Sequence, residues 1–236
     1  MILEVKGLHS YYGKSHVLQG VDLELEQGQL VCLLGRNGVG KSTTLMSIMG
    51  LVRPGAGSVR LKGRELAGSQ PFEIARQGLG FVPEERRIFS SLTVLENLLI
   101  GRQKARPGLS GQEWTVERIL DSFPRLAERR DNKGCHLSGG EQQMLTIART
   151  LMGNPEVVLV DEPTEGLAPL VAEAVLEMLR TISLAGMTIL MVEQNLKAAL
   201  KLANAFYIMS KGRMVFKGDS QALMAAEEVR RKYLEV

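Results

Sequence analysis

The segment GRNGVGKST, residues 35–43, constrains the fold of this chain more than any other. The apolar run QLVCLLG before it predicts a buried strand, and KSTTLMSIMGL after it has helical spacing that ends at Gly50. A glycine-rich turn between a strand and a helix is the context of a phosphate loop, where backbone N–H groups surround phosphate oxygens. By itself this motif predicts a nucleoside triphosphate ligand and no more.

Each residue type in the phosphate loop has a chemical reason. Glycines let the backbone approach the phosphates, Lys41 supplies positive charge to the β and γ phosphates, and Ser42 offers a hydroxyl to Mg²⁺. The expected nucleotide contacts within the loop are Gly35, Asn37, Gly38, Gly40, Lys41, Ser42 and Thr43.

A second apolar run, VVLVDEP at residues 157–163, ends in two carboxylates. An acidic pair at the end of a buried strand is costly unless it meets a cation or a proton. Beside a phosphate loop, Asp161 is therefore expected to hold Mg²⁺ through water, and Glu162 to orient and deprotonate the attacking water. Without the phosphate loop, an ordinary acidic turn would be the preferred interpretation.

The order of apolar patterns predicts an α/β fold in one domain, residues 1–236. Alternating polar and apolar residues up to Gly28 indicate antiparallel strands at the N-terminus, and strands alternating with helices later in the chain predict a mostly parallel sheet. The run of helical patterns interrupts that alternation and predicts a helical subdomain inserted at about residues 87–154. Residues 104–114, KARPGLSGQEW, are expected to form a surface loop.

Charge and hydropathy narrow the classes of partner. The chain has 29 Lys and Arg against 26 Asp and Glu, and the basic residues are scattered, which argues weakly against nucleic acid. The sequence shows neither an apolar run of membrane-spanning length nor a signal peptide, so any contact with a membrane is expected to go through a partner.

These motifs, taken with a second segment, carry a family resemblance. LSGGEQQ, residues 137–143, here called the LSGGEQQ segment, places a serine and two glycines at the start of a strongly patterned helix, where an anion would be bound. The phosphate loop, the LSGGEQQ segment, the acidic strand and Tyr12 together resemble the ATP-binding subunit of an ATP-binding cassette (ABC) transporter. The resemblance implies a P-loop NTPase core, with ATP and Mg²⁺ as cofactors.

The resemblance also implies how the two phosphate-binding segments divide their work. In this family two domains pack head to tail, so that each LSGGEQQ segment closes over ATP held by the other chain. Ser138, Gly139 and Gly140 are then expected to hold the γ phosphate of a partner's nucleotide. Tyr12 resembles the aromatic residue that stacks on adenine.

Three departures from the commonest family pattern narrow the resemblance further. Glu84 stands where most members carry a glutamine that contacts Mg²⁺, Ala168 where an aspartate is usual, and Gln194 where a histidine usually contacts the γ phosphate. The segments VPEERR, EGLAP and VEQN resemble one of the two ATPase subunits of branched-chain amino acid importers. The related importer of urea or short amides is the alternative.

The importer resemblance implies specific partners. They are a second ATPase subunit, integral membrane permease subunits and, indirectly, a periplasmic solute-binding protein, with this chain peripheral at the cytoplasmic face of the inner membrane. A soluble ABC ATPase acting on DNA or ribosomes is the competing class. The expectation of no nucleic-acid partner rests on the absence of a second cassette and of a long coiled coil between the phosphate loop and the LSGGEQQ segment.

Overall fold

The computed structural model describes residues 1–103 and 113–234. Its strands, in chain order, are β1 (Leu3–Tyr12), β2 (Ser15–Leu25), β3 (Leu30–Leu34), β4 (Ala56–Leu61), β5 (Arg64–Glu65), β6 (Leu79–Val82), β7 (Val157–Asp161), β8 (Thr188–Glu193), β9 (Ala205–Ser210) and β10 (Arg213–Asp219). Its helices are α1 (Lys41–Ile48), α2 (Pro71–Gln77), α3 (Val94–Gly101), α4 (Val116–Ser122), α5 (Pro124–Glu128), α6 (Gly139–Leu151), α7 (Pro169–Leu184), α8 (Leu196–Leu202), α9 (Ser220–Ala225) and α10 (Glu227–Tyr233), with a 3₁₀ turn at Gly134–His136.

The strands form two sheets. The larger has the order β10-β9-β3-β8-β7-β6 and is parallel except for β10, which forms an antiparallel hairpin with β9. The smaller has the order β2-β1-β4-β5 and is antiparallel. The α/β fold with a mostly parallel sheet and an N-terminal antiparallel sheet is confirmed.

The parallel sheet is buried on both faces, which explains its continuous apolar runs. In β3, Cys32 and Leu34 belong to a core formed with the helices, whereas Val31 and Leu33 belong to a second core shared with the antiparallel sheet. Successive side chains of a strand point to opposite faces, so one strand contributes to both cores. The parallel strands carry the phosphate loop and the acidic pair, and this double burial fixes their ends.

Between β6 and β7 the described elements are the helices α3 to α6 and the 3₁₀ turn, joined by turns and irregular segments, and the expected helical subdomain of about 87–154 stays a prediction. The segment TVERILDSFPRL, residues 115–126, has a helical pattern throughout, but the structure divides it into α4 and α5, because Pro124 begins α5 and Phe123 leaves the helical conformation. The segment ALMAAEEVRRKYLE, residues 222–235, also has a helical pattern, and its described part belongs to two short helices that meet at Ala226.

The remaining sequence predictions concern a surface loop and membrane-spanning segments. Most of the surface loop expected at residues 104–114 lies outside the described residues. In the ranges 1–103 and 113–234, no helix is both long and apolar enough to cross a membrane.

Candidate functional site

The phosphate loop connects the end of β3 to the start of α1, as the sequence predicted. Gly35, Gly38 and Gly40 all have positive φ, at 158°, 77° and 111°. At Gly35 a close approach adds to this requirement, because a Cβ there would lie 2.6 Å from the carbonyl oxygen of Met209. The loop is therefore shaped by glycines that a side chain could not replace without strain.

Lys41 is the first residue of α1 and is almost fully buried. Its Nζ lies 3.0 Å from Glu162 Oε1 and donates a hydrogen bond of 3.1 Å to the carbonyl oxygen of Arg36. The ammonium group is thus held between the loop backbone and the acidic strand. Phosphate oxygens that reached Lys41 would compete with the Glu162 carboxylate for the ammonium group.

The acidic strand β7 lies two strands from β3, with β8 between them, and its end reaches the same edge of the sheet. Ser42 Oγ donates a hydrogen bond of 3.0 Å to Asp161 Oδ1, which joins the two sequence motifs. Glu162 has a positive φ of 40°, an uncommon conformation for a residue with a side chain, and its N–H donates to the carbonyl oxygen of Val192 at 3.0 Å. Neighbouring structure therefore holds Glu162 in a strained conformation beside Lys41.

A cavity of about 250 Å³ lies over this group. Its lining residues are Val17, Asn37, Gly38, Gly40, Lys41, Ser42, Thr43, Glu84, Glu162 and Glu165. The structure thus brings together in one cavity the phosphate loop, Glu162 and the exposed Glu84, as the sequence predicted. Asp161 joins them through its hydrogen bond to Ser42, whereas Gly35, Tyr12 and Gln194 are not among the lining residues.

The donors around Ser42 suit Mg²⁺. Ser42 and Asp161 supply hard oxygen atoms, and burial raises the pKa of Asp161 to about 6, with the carboxylates of Glu162 and Glu84 acting in the same direction. A divalent cation there would relieve this repulsion. In the part of the chain that the structure describes, no three His, Cys, Asp or Glu side chains form a ready-made cage, which fits a cation that takes other ligands from phosphates and water.

Glu193 is a member of this region that sequence reasoning missed. It ends β8, is buried, and accepts hydrogen bonds from Thr164 Oγ1 at 2.7 Å and from the N–H of Asn195 at 3.3 Å. Burial raises its pKa, and the nearby charge of Glu162 adds to that rise. Glu193 belongs to the VEQN segment, but the family pattern distinguishes its neighbour Gln194, which is exposed.

Tyr12 lies at the end of β1, and 49% of its surface is exposed. Its neighbour Tyr11 stacks on His16, with ring centroids 4.3 Å apart. Tyr11 thus has a ring partner within the chain, and no such ring contact involves Tyr12 among the described residues. An aromatic face of this kind is open to a base.

The LSGGEQQ segment forms the start of α6. Ser138 is the N-cap, its Oγ accepts from the N–H of Glu141 at 3.4 Å, and Glu141 Oε2 accepts from the N–H of Ser138 at 2.8 Å. This reciprocal pair is a capping box. Gly140 faces α7 so closely that a Cβ would lie 1.9 Å from Val171 Cγ1, so that position requires glycine.

None of Ser138, Gly139 and Gly140 lines the cavity that holds Lys41. The serine and glycines that the resemblance assigns to a γ phosphate therefore lie outside the cavity over the phosphate loop of the same chain. The hydroxyl of Ser138 accepts in its capping role, which leaves its own proton free to donate.

Comparison with known proteins places this arrangement among its relatives. The family model described as ABC transporter matches residues 18–165. BraG of Pseudomonas aeruginosa, a high-affinity branched-chain amino acid transport ATP-binding protein, is 40% identical over 233 residues, which cover 99% of each chain. LivF of Archaeoglobus fulgidus, a probable branched-chain amino acid transport ATP-binding protein, is 35% identical over 97% of this chain and 96% of its own.

Other relatives and solved structures extend the likeness. LptB of Haemophilus influenzae, a lipopolysaccharide export ATP-binding protein, is 32% identical over 99% of this chain and 97% of its own. A nucleotide-free ATP-binding cassette from an ABC transporter superposes with a TM-score of 0.84 at 27% identity and covers 96% of this chain and 95% of its own. A dimeric post-hydrolysis cassette bound to ADP and Pi gives 0.77 at 25% identity, over 92% of this chain and 98% of its own.

Proposed function

This chain belongs to the ABC transporter family and is an ATPase of that family, and from that premise we propose that it powers an importer of branched-chain amino acids. One observation carries the choice of solute: the 40% identity with BraG extends over 99% of both chains. The aligned region therefore spans the segments VPEERR, EGLAP and VEQN, in which the sequence departs from the commonest pattern of the family.

The residues of the cavity divide the work of ATP hydrolysis. The glycine-rich loop from Gly35 to Gly40 and the buried Lys41 bind the phosphates, and Asn37 and Thr43 complete the lining. Ser42, Asp161 and Glu84 would hold Mg²⁺, which would supply positive charge to neutralise the phosphates.

Glu162 has the position of a general base. It lies at the end of β7, faces the cavity, and is 3.0 Å from Lys41, the group that phosphates would draw away from it. Once freed from Lys41, its carboxylate can accept a proton from a water molecule aimed at the γ phosphate. Gln194 assists at the γ phosphate through its neutral amide, and Tyr12 stacks on adenine.

The LSGGEQQ segment acts on a second subunit. Ser138, Gly139 and Gly140 start a helix of 13 residues whose N-terminus favours an anion, yet they are absent from the lining of their own cavity. A head-to-tail pair with another ATPase subunit brings this helix end over the partner's ATP. Closure of the pair then depends on ATP, because the helix end needs that anion.

The pair works against a membrane through other subunits. We place the chain at the cytoplasmic face of the inner membrane, bound to integral permease subunits that receive solute from a periplasmic binding protein. ATP-driven closure of the ATPase pair is what moves the permease.

Solute uptake tests this proposal directly. Deleting the gene should abolish ATP-dependent uptake of radiolabelled leucine, isoleucine and valine, and the intact gene, but not the Glu162→Gln form, should restore it. Loss of urea or acetamide uptake with normal leucine uptake would favour the alternative importer. Recovery of the tagged chain with ribosomes or DNA, and without membrane protein, would reject a transport role.

A further inference from the structure

Arg86 lies directly over the first residue of α6. A Cβ at Gly139 would lie 2.5 Å from Arg86 Nη1 and 2.9 Å from its Cζ, so the guanidinium occupies the space that a side chain at position 139 would need. Arg86 comes from the segment that follows β6, far from α6 in sequence. Glycine at position 139 thus makes room for a cation at the N-terminus of α6.

This placement brings together two positive groups. The N-terminus of α6 carries the positive end of the helix dipole, which favours an anion and disfavours a cation. The nearby carboxylate of Glu141 is already used, because it accepts from the N–H of Ser138 at 2.8 Å and lies 3.4 Å from Arg129 Nε. Within residues 1–103 and 113–234, no carboxylate forms an ion pair with Arg86.

Arg87 provides a contrast within the same segment. Its Nη2 lies 3.0 Å from Glu85 Oε2, and its side chain is exposed. One arginine therefore has a local carboxylate partner, whereas its neighbour, Arg86, points to a helix end that itself calls for an anion. A mere need for surface charge does not explain why Arg86 is held over Gly139.

The backbone of this segment is attached to α6. Thr146 Oγ1 hydrogen-bonds the carbonyl oxygen of Arg86, and Arg149 Nη2 donates to the carbonyl oxygen of Arg87 at 2.6 Å. Both contacts come from α6, about two and about three turns along the helix from Gly139. Arg86 therefore stays with the LSGGEQQ segment when that helix moves, and the two present a single anion-binding surface.

We propose that Arg86 binds the phosphate tail of the nucleotide held by the partner subunit, together with Ser138 and the N–H groups at the start of α6. This inference rests on the proposed head-to-tail pair and adds a residue to it. A planar guanidinium donates several hydrogen bonds and keeps its charge, which suits phosphate oxygens. ATP in the partner's loop thus supplies the anion that two adjacent positive groups lack among residues 1–103 and 113–234.

The test uses an ATPase pair purified through two different tags, so that each subunit carries a chosen variant. When Lys41→Ala silences the loop of this chain, the remaining turnover comes from the partner's loop, which faces Arg86. Adding Arg86→Gln should then lower turnover about tenfold or more and raise the KM for ATP. Arg86→Lys should restore part of the loss, because it keeps the charge without the fork of donors.

The opposite arrangement is the internal control. When the partner's phosphate-loop lysine is replaced by alanine, turnover comes from this chain's own loop, and Arg86→Gln should leave it within about twofold of the unsubstituted value. Arg87→Gln is the matched control and should be silent in both arrangements. A loss confined to this chain's own loop, or no loss in either arrangement, would overturn the role of Arg86.

Ser138→Arg separates failure of this inference from failure of the proposed pair. If Ser138→Arg stops turnover at the partner's loop but Arg86→Gln does not, the head-to-tail pair stands and Arg86 has no part in it. If Ser138→Arg acts only on this chain's own loop, the head-to-tail arrangement fails, and the role proposed for Arg86 fails with it.

Discussion

The two phosphate-binding regions of this chain differ in how far they are complete without a ligand. Around the phosphate loop, the polar groups already have partners: the Lys41 ammonium lies 3.0 Å from the Glu162 carboxylate, and the Ser42 hydroxyl donates a hydrogen bond of 3.0 Å to Asp161. At the LSGGEQQ segment the capping box satisfies backbone groups, but the positive charge of Arg86 has no carboxylate partner among the described residues. The first region has its own counter-charges, whereas the second requires an anion from outside.

The acidic groups beside the phosphate loop lower the stability of the folded chain at neutral pH. Asp161, Glu162 and Glu193 are buried near one another, and burial raises the pKa of both Asp161 and Glu193. At the capped helix end the unfavourable pair is Arg86 and the helix dipole, whereas Ser138 itself is uncharged. Substitutions should therefore separate activity from stability in the acidic region, whereas at Ser138 the effect on stability should be small and independent of ATP.

The largest expected effect is that of Glu162→Gln. Removing a general base typically slows a reaction about 10²–10⁴-fold, so turnover should fall by at least that lower figure while ATP binding persists. ATP-dependent dimers should then accumulate and be visible by analytical ultracentrifugation. The control is Lys41→Ala, which should weaken nucleotide binding itself. Near-normal turnover by Glu162→Gln would remove this residue from the catalytic role.

Ser138→Arg should disrupt the second phosphate-binding region, the LSGGEQQ segment. A bulky cation beside Arg86 would obstruct the approach of the partner's nucleotide, so turnover of the pair should fall about tenfold or more. Binding of a fluorescent ATP analogue to the isolated chain should stay within about twofold of its original value, because the phosphate loop is untouched. An equal loss of binding by the isolated chain would show that the segment serves its own loop.

Glu193→Gln tests whether the buried carboxylates of the acidic region destabilise the folded chain. Because the folded chain raises the pKa of Glu193, the folded state binds more protons than the unfolded state between the two pKa values. This contribution to stability is fully present below the unfolded value of about 4.3 and is lost as pH rises through the folded value. The variant should lose that pH dependence.

The measurement for Glu193 is the urea midpoint from pH 4 to pH 8. A glutamine can keep both observed contacts, accepting from Asn195 N–H and donating to Thr164 Oγ1, so the comparison is matched in hydrogen bonding. We expect the variant to gain stability relative to the original chain as the pH rises from acid to neutral, because burial raises the pKa of Glu193. Parallel midpoint curves for the two proteins would contradict the expected electrostatic cost.

Ser138→Ala should have the smallest effect of these substitutions. It should lower the stability of the folded chain, whereas Glu193→Gln should raise it at neutral pH. Loss of an N-cap side chain typically costs about 1 kcal/mol, so the free energy of unfolding should fall by that amount without nucleotide and show little dependence on pH. Ser138→Asn, which can cap in the same way, should retain most of the stability. If Ser138→Ala left the urea midpoint unchanged, the capping box would not contribute to the stability of the folded chain.

Much of the candidate site follows from local sequence. The phosphate loop and the acidic strand were predictable because each joins a fully apolar strand to a fixed set of chemical groups, and parallel strands bring their carboxyl ends to one edge. The fold class followed from the same alternation. Helix boundaries were less predictable where a single residue, such as Pro124, divides a continuous apolar pattern.

The tertiary structure alone determined which groups lie together when they are distant in sequence. The sequence by itself determined the phosphate loop, the acidic pair and the capped helix, because spacing along the chain fixes those local geometries. It did not place Arg86 over Gly139, bury Glu193 beside Thr164, or leave Ser138 outside the cavity of Lys41. Those relations depend on how helices pack on the sheet, since burial and proximity set the charge balance of a site and neither is a property of a local motif.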